Sequence, residues 1–146
     1  CYNNDEANCT TYGALYQWDE AMQYTNTEGA KGICPTGSHI PSDNDWKVLE
    51  MQLGMTQAQA DLDSAWRGTD QGTKMKVDGS SGLNIPLAGY RITGGSFNYL
   101  SSYVLLLSSS ESSSNARIRF LETNHTTVAR NAYTKAYGFS VRCLGN

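Results

Sequence analysis

The chain has 146 residues, 39% of them apolar and 17% charged, with a formal net charge of −3. That length suits one domain, which buries roughly two thirds of the surface its unfolded chain exposes and needs no metal to fold. No apolar run approaches the ~18 residues of a membrane span, so no span is expected, and residues 1–146 are expected to carry no signal peptide. The start at Cys1 rather than Met is the one expected of a processed or trimmed product. Apolar and charged shares both lie below the usual averages. Neutral polar residues fill the gap, with 15 Ser, 13 Thr, 14 Gly and 11 Asn. That mix favours turns, strands and long ordered loops over helix bundles.

The two halves differ in charge. Residues 1–73 carry 11 acids and 3 bases, whereas residues 74–146 carry 3 acids and 8 bases. Such asymmetry marks some nucleic-acid surfaces, but Arg91, Arg117, Arg119, Arg130, Lys135 and Arg142 are spread and form no run. No nucleic-acid partner is expected; the halves are expected to complement each other within one fold. The four cysteines, Cys1, Cys9, Cys34 and Cys143, contain no C-x-x-C pair, and only His39 and His125 stand beside them, so zinc spacing is poor. An even count in a polar chain reads as two disulfides and an oxidising compartment. Three connectivities are open, besides buried reduced thiols. Cys1–Cys9 as a local loop with Cys34–Cys143 as a long tie is the favoured one.

In chain order, residues 1–11 are polar and read as a loop closed by the first cysteine pair. Leu15, Trp18, Ala21 and Met22 recur at three- and four-residue spacing, which predicts a helix over Gly13–Tyr24. Thr25 to Gly32 is a connector, and Pro35 and Pro41 keep the next segment extended. Ser42 with Asp45 three residues on is an acidic capping box. It opens a second helix whose Trp46, Leu49 and Leu53 line one face, ending near Gly54, with Trp46 expected against the first helix near Trp18. Thr56 to Trp66 is expected to add a short third helix. Leu83–Leu87, Tyr90–Thr93, Tyr103–Leu107, Ala116–Leu121 and Thr127–Arg130 read as short strands between Gly, Ser and Asn punctuation. Residues 94–116 hold nine serines, the composition of a linker, yet apolar Tyr103–Leu107 lies inside them. Helices first and short strands after give an α+β fold.

Several motifs resemble one family. They are Tyr12-Gly13, Tyr16-Gln17-Trp18, Ala21-Met22, Gly32-Ile33-Cys34-Pro35-x-Gly37-x-His39-Ile40-Pro41-Ser42-x-x-x-Trp46, Arg67-Gly68-Thr69-Asp70-x-Gly72-Thr73-Lys74, Leu87-Ala88-Gly89-Tyr90-Arg91, Ser108-Ser109-x-Glu111 and Gly138-Phe139-Ser140-Val141-Arg142-Cys143. In this order they are similar to the Fibrobacter succinogenes major paralogous domain family. The resemblance implies a C-type lectin-like fold of the formylglycine-generating-enzyme kind: two main helices flanking a small, irregular antiparallel sheet with long loops. Two departures stand out. Ser38 occupies a position that is usually Trp, and Leu106 and Leu107 stand where one or two Trp usually precede the Ser-Ser-x-Glu.

Residues 97–137 also resemble the variable region of diversity-generating retroelement proteins, in which template Asn codons become many residues but never Trp, Met, Gln, Lys or Glu. Tyr99, Tyr103, Leu105, Ile118, Phe120, His125, Ala129, Tyr133 and Tyr137 stand where the family usually has Asn or another small polar residue, and all nine are reachable. With Asn131 they form the expected ligand face. The implied organisation is one domain, 1–146. Its scaffold is about 1–96, the variable region about 97–137, and the closing strand 138–146.

Tyr supplies rigid amphipathic contact area and Ser and Asn supply adaptable hydrogen bonds, so Phe97, Tyr99, Tyr103, Phe120, Tyr133 and Tyr137 among Ser, Thr, Asn and Arg have a recognition composition. The strand Arg117–Leu121 gives two conflicting readings. Plain alternation turns Ile118 and Phe120 inward and the arginines outward; the resemblance turns Ile118 and Phe120 outward and makes Arg119 scaffold. Asp43-Asn44-Asp45 is the one tight acidic cluster away from the termini, but it sits where carboxylates suit a helix start, so no metal is expected. No Gly-rich phosphate loop is present and all four cysteines have structural partners, so no cofactor and no catalysis are expected. The expectation is a secreted or surface-displayed monomer that binds a protein or glycan ligand on a cell or virus surface. A fixed carbohydrate- or surface-binding module is the first alternative. An enzyme using His39 and Asp70 is the second.

Overall fold

The computed structural model describes residues 1–146, and they form a mixed α+β domain with few helices and antiparallel sheets. In chain order the elements are α1 (Glu6–Tyr12), α2 (Trp18–Ala21), β1 (Ser38–His39), α3 (Asp43–Gln52), α4 (Gln57–Asp61), β2 (Ala65–Arg67), α5 (Gln71–Met75), β3 (Tyr90–Arg91), β4 (Phe97–Asn98), β5 (Tyr103–Ser112), β6 (Asn115–Glu122), β7 (Val128–Thr134) and β8 (Leu144–Gly145). The main sheet has the order β2-β7-β6-β5, and β1 pairs with β8 and β3 with β4. No helix is long and apolar enough to cross a membrane.

The helix expected over Gly13–Tyr24 is displaced. The polar stretch 6–12 is helical instead, because the Asp5 side chain caps the Ala7 N–H at 3.0 Å, and the helix stops at Gly13. Tyr16 then exchanges backbone hydrogen bonds with Phe139, which consumes the groups that a helix through residue 16 would need. Only Trp18–Ala21 remains helical there. Long-range pairing overrides the local periodicity. In contrast, α3 starts where its capping box puts it. Ser42 Oγ accepts from the Asp45 N–H at 3.1 Å, and an Asp45 carboxylate oxygen accepts from the Ser42 N–H at 2.8 Å. The third helix shortens to Gln57–Asp61, and 65–67 become a strand. Leu83–Leu87 forms no strand; its Ile85 bridges Lys76 alone.

The serine-rich stretch is not a linker. It contains β4, all of β5 and the start of β6, and residues 108–110 of β5 are buried. Their hydroxyls tie the fold together: Ser108 donates to the Arg117 carbonyl at 3.0 Å, while Ser109 and Ser110 accept from the Gly29 and Asp43 N–H groups at 2.8 and 2.7 Å. The two buried tryptophans meet this strand from opposite sides. Trp18 Nε1 donates to the Ser108 carbonyl at 2.9 Å and Trp46 Nε1 to the Leu107 carbonyl at 3.3 Å. Trp18 belongs to the apolar cluster in front of the sheet with Leu105, Leu107, Ile118 and Phe139. Trp46 belongs to the cluster behind it with Val104, Leu106, Leu121 and Val128. The sheet therefore separates the two indoles that were expected to pack together. Both expected disulfides are present, Cys1–Cys9 and Cys34–Cys143.

Behind the sheet the two charge-biased halves neutralise each other. Glu50 of α3 is fully buried and binds Arg67 and Arg119, which are also buried. Asp43 binds Arg119 at 2.8 Å and Arg130 at 2.7 Å, and Asp63 pairs with Arg117. Burial opposes ionisation of Asp43, but the guanidinium groups of Arg130 and Arg119 outweigh it and hold this carboxyl well below the usual carboxylate range. A depressed folded-state pKa stabilises the fold fully above the unfolded value of about 3.9, and the contribution is lost as the pH falls toward the folded value. Asp43→Asn is therefore expected to melt well below wild type at pH 7. The gap should narrow progressively in melts taken below about pH 4.

Candidate functional site

Side chains alternate across a strand, and directly opposed residues of an antiparallel pair share a face. Leu105 opposes Phe120, Phe120 opposes Ala129, Ala129 opposes Trp66, Ile118 opposes Asn131, and Ala116 opposes Tyr133. The front of the sheet therefore collects seven of the ten expected ligand-face residues: Tyr103, Leu105, Ile118, Phe120, Ala129, Asn131 and Tyr133. Tyr99, His125 and Tyr137 come from the adjoining turns.

Burial divides this set. Ile118 is 0% exposed, Ala129 1% and Leu105 3%, whereas Tyr99 is 52% and Tyr133 37% exposed. Ile118 and Ala129 are thus core residues beneath the face, not part of it: Ile118 packs in the Trp18 cluster, and Ala129 lies between Phe120 and Trp66 in the strand register. Tyr103, Phe120, His125, Asn131 and Tyr137 are half-buried. Neither reading of Arg117–Leu121 holds throughout. Ile118 points in, Phe120 lies at the edge of the front cluster, and Arg119 is buried behind the sheet in the ion network.

The aromatic residues converge on a cleft of about 140 Å³ lined by Tyr90, Tyr99, Tyr103, Leu105, Phe120, Tyr133 and Tyr137. Their rings run in a nearly parallel series. Tyr103 stacks on Tyr99 at 4.3 Å, Tyr99 on Tyr90 at 5.9 Å, Tyr90 on Tyr137 at 6.2 Å and Tyr137 on Tyr133 at 6.4 Å between centroids. Phe120 meets Tyr103 edge-on at 5.0 Å. Beyond it, Trp66 lies 5.1 Å from Phe120, and His125 stacks on Trp66 at 3.8 Å. Apart from the tighter Tyr103–Tyr99 and Trp66–His125 stacks, these separations fall in the ~4.5–7 Å range of favourable aromatic pairs, each adding about 0.5–1.5 kcal/mol beyond area burial.

Two backbone features set the cleft's mouth. Gly89 has φ +65°, and a Cβ there would fall 2.5 Å from the Asn98 carbonyl oxygen. Only glycine lets the chain pass so close, and that passage brings Tyr90 beside Tyr99. Tyr99 itself has φ +60°, a conformation costing a bulky residue about 1–3 kcal/mol. Its carbonyl accepts from both Ser102 and Tyr103 N–H groups at 3.0 Å, which holds the ring over Tyr103.

No charged side chain lines the cleft. Burial, reinforced by the neighbouring phenols of Tyr99, Tyr133, Tyr137 and Tyr103, pushes the Tyr90 phenol up, which keeps that phenol neutral at physiological pH. The cleft offers ring faces and phenol hydroxyls, and no nucleophile or base. Residue-type reasoning missed Tyr90, which sits in a scaffold motif, and Trp66. Trp66 reaches the face through its register with Ala129, which a single sequence does not display.

The turn that carries His125 is held from below. Lys76 Nζ donates to the carbonyls of Glu122 at 2.8 Å and His125 at 2.9 Å, and Thr73 N–H donates to Thr126 at 3.1 Å. Lys76→Met is expected to release this turn. The His125 ring protons, shielded by Trp66 in the native stack, would then move downfield in a proton NMR spectrum. Unchanged shifts would mean that Thr73 and its neighbours suffice.

The residues of the enzymatic alternative are not brought together. His39 contacts Asn146 at 2.6 Å and Asp45 at 3.5 Å, while Asp70 pairs with Lys74 at 3.0 Å. The acidic cluster at 43–45 is committed to arginines and the helix cap, and no group of three or more His, Cys, Asp or Glu side chains is placed so that it could hold a metal ion.

Together these features define a small disulfide-tied α+β domain with a neutral aromatic cleft on one face of its sheet. The chain belongs to the Fibrobacter succinogenes major domain family, whose family model matches residues 1–144. No curated protein and no solved structure matches it.

Proposed function

We propose that the chain is a non-enzymatic recognition domain, secreted or displayed at a surface, on a C-type lectin-like scaffold. The cleft of five tyrosines, Phe120 and Leu105 carries this reading. A neutral, ring-lined cleft with hydroxyls at its margin suits the apolar face of a sugar ring or an uncharged side chain of a surface protein. The two disulfides support an oxidising location. The bipartite sheet supports the division of labour. Charged and apolar groups behind the sheet hold the strands, which leaves the exposed front positions, Tyr99 and Tyr133, the freest to vary.

Diversification by a retroelement is the form of this reading that accounts for the residues at the substituted positions. A near-repeat of the 3′ end downstream of the gene, with adenines at those codons, beside a reverse transcriptase, is the expected finding. The burial of Leu105, Ile118 and Ala129 favours instead a fixed module of the same family, since random substitution at core positions is costly. A locus without the repeat would select the fixed module.

Binding is tested with Tyr99→Ser and Tyr133→Ser, singly and together, against panels of glycans and surface proteins. Both residues are exposed, so each variant should fold, with the loss confined to its two ring pairs, about 0.5–1.5 kcal/mol apiece. Each should weaken a bound ligand by about 2 kcal/mol or more if its ring is an anchor. Tyr103, Tyr137 and Tyr90 are half-buried against the front cluster, and their replacement is expected to lower the melting temperature as well. Ligand binding unaffected by the double variant would place the site elsewhere.

A further inference from the structure

Two motifs of the sequence, Tyr12-Gly13 and Ser140-Val141-Arg142, play no part in the aromatic cleft. They meet on the other side of β5, around a second cavity of about 250 Å³. Its apolar wall comes from Val104 and Leu106, the rear-facing residues of β5, and from Ile85, which belongs to the same rear cluster. That volume lies just under the ~300–1,000 Å³ of pockets that take drug-sized ligands, so its occupant is small.

Two polar groups at this cavity are unspent. Ser140 is 8% exposed, and its hydroxyl has no hydrogen-bond partner, although its backbone N–H and carbonyl are both bonded to β5. Leaving a buried hydroxyl unpaired costs about 1–3 kcal/mol, a penalty that a polar ligand atom would remove. Arg142 also lines the cavity and borders the smaller neighbouring cleft that holds Asp45 and Trp46. Alone among the six arginines of the chain, it makes neither an ion pair nor a side-chain hydrogen bond. Asp45, the one acidic residue lining either cavity, is already bonded to Ser42 and faces His39. A free guanidinium, an orphaned hydroxyl and an aliphatic wall are complementary to one chemistry: a carboxylate carrying a short apolar chain.

We propose that this rear cavity is a second binding site, independent of the aromatic cleft, for a small aliphatic carboxylate. The carboxylate binds Arg142 and accepts a hydrogen bond from Ser140, and its chain lies along Val104 and Leu106. The site uses the scaffold rather than the candidate variable residues, so it would be the same whatever the front face displays.

Hexanoate is the probe, and hexan-1-ol its neutral control, each titrated into the intact chain and followed by calorimetry and amide NMR shifts. Saturable hexanoate binding is expected, with shifts at Leu106 and Ser140 and at least tenfold weaker binding of the alcohol. Arg142 is exposed and partnerless, so Arg142→Gln should fold normally. It should weaken hexanoate at least tenfold and leave the alcohol unchanged. Ser140→Ala should weaken hexanoate several-fold, and Tyr99→Ser should have no effect. No saturable binding, equal affinity for acid and alcohol, or loss on Tyr99→Ser in place of Arg142→Gln would overturn the proposal.

Discussion

Glu50→Ala is expected to cost about 3–5 kcal/mol, because it strips the countercharge from two buried cations. One Glu50 oxygen accepts from Arg67 Nη2 at 2.7 Å and Arg119 Nε at 2.6 Å, and the other accepts from Arg67 Nη1 at 3.0 Å. All three side chains are fully out of solvent. Arg67 has little slack, since its Nε already lacks an acceptor and its other contact is the Ala60 carbonyl. Burial draws the Arg67 pKa down, and Glu50 is what opposes that. Without Glu50, Asp43 is left as the one acid bound to Arg119, and Arg67 has none. Chemical denaturation at pH 7 reads the loss, a large share of the ~5–15 kcal/mol that stabilises an ordinary domain. Replacing Glu50, Arg67 and Arg119 together by apolar residues of similar volume should recover much of it, since buried ion pairs contribute little net stability. A loss below about 1 kcal/mol for Glu50→Ala would mean that water reaches the guanidinium groups.

That network shows where sequence reasoning stops. The α3 start was legible because Ser42 and Asp45 settle it three residues apart. The alternation of β6 was legible too, but not its meaning. Both faces of this sheet are covered, so a charged residue on one face does not mark solvent. Arg119 is buried because its acids come from positions 43 and 50, a separation no local pattern reports. The same holds at Ile118, whose burial depends on Trp18 and Phe139 arriving from both ends of the chain. The helix over Gly13–Tyr24 failed for a related reason, since Tyr16 pairs with Phe139 123 residues on. The aromatic cleft was readable as a composition and as a set of turns. Its boundary was not, because Tyr90 and Trp66 join it through Gly89's close passage and through strand register.

The Cys34–Cys143 bridge is expected to contribute more than the Cys1–Cys9 bridge, and the two differ for a reason the chain itself supplies. Cross-linking removes loop entropy from the unfolded chain, by roughly 4.7 kcal/mol for a loop near 100 residues and by roughly 2.5 kcal/mol for one near ten. The separations here are 109 and 8 residues. Cys34 is also 1% exposed within the front cluster, so its serine variant places a hydroxyl among apolar groups. Cys34→Ser/Cys143→Ser should therefore lose about 3–5 kcal/mol, which lowers the melting temperature by roughly 10 °C or more for a domain of this size. Cys1→Ser/Cys9→Ser should lose distinctly less. The consequence reaches both proposed sites. The bridge anchors the segment that begins just after Tyr137, whose ring closes the cleft, and carries Ser140 and Arg142 on its way to the β1–β8 pair. Loosening that segment should raise amide exchange at 138–143 before the β5–β6 core opens. Equal losses from the two double variants would remove loop entropy as the cause. Unchanged exchange at 138–143 would show that the backbone bonds to Tyr16, Arg91 and Leu105 hold the segment without the bridge.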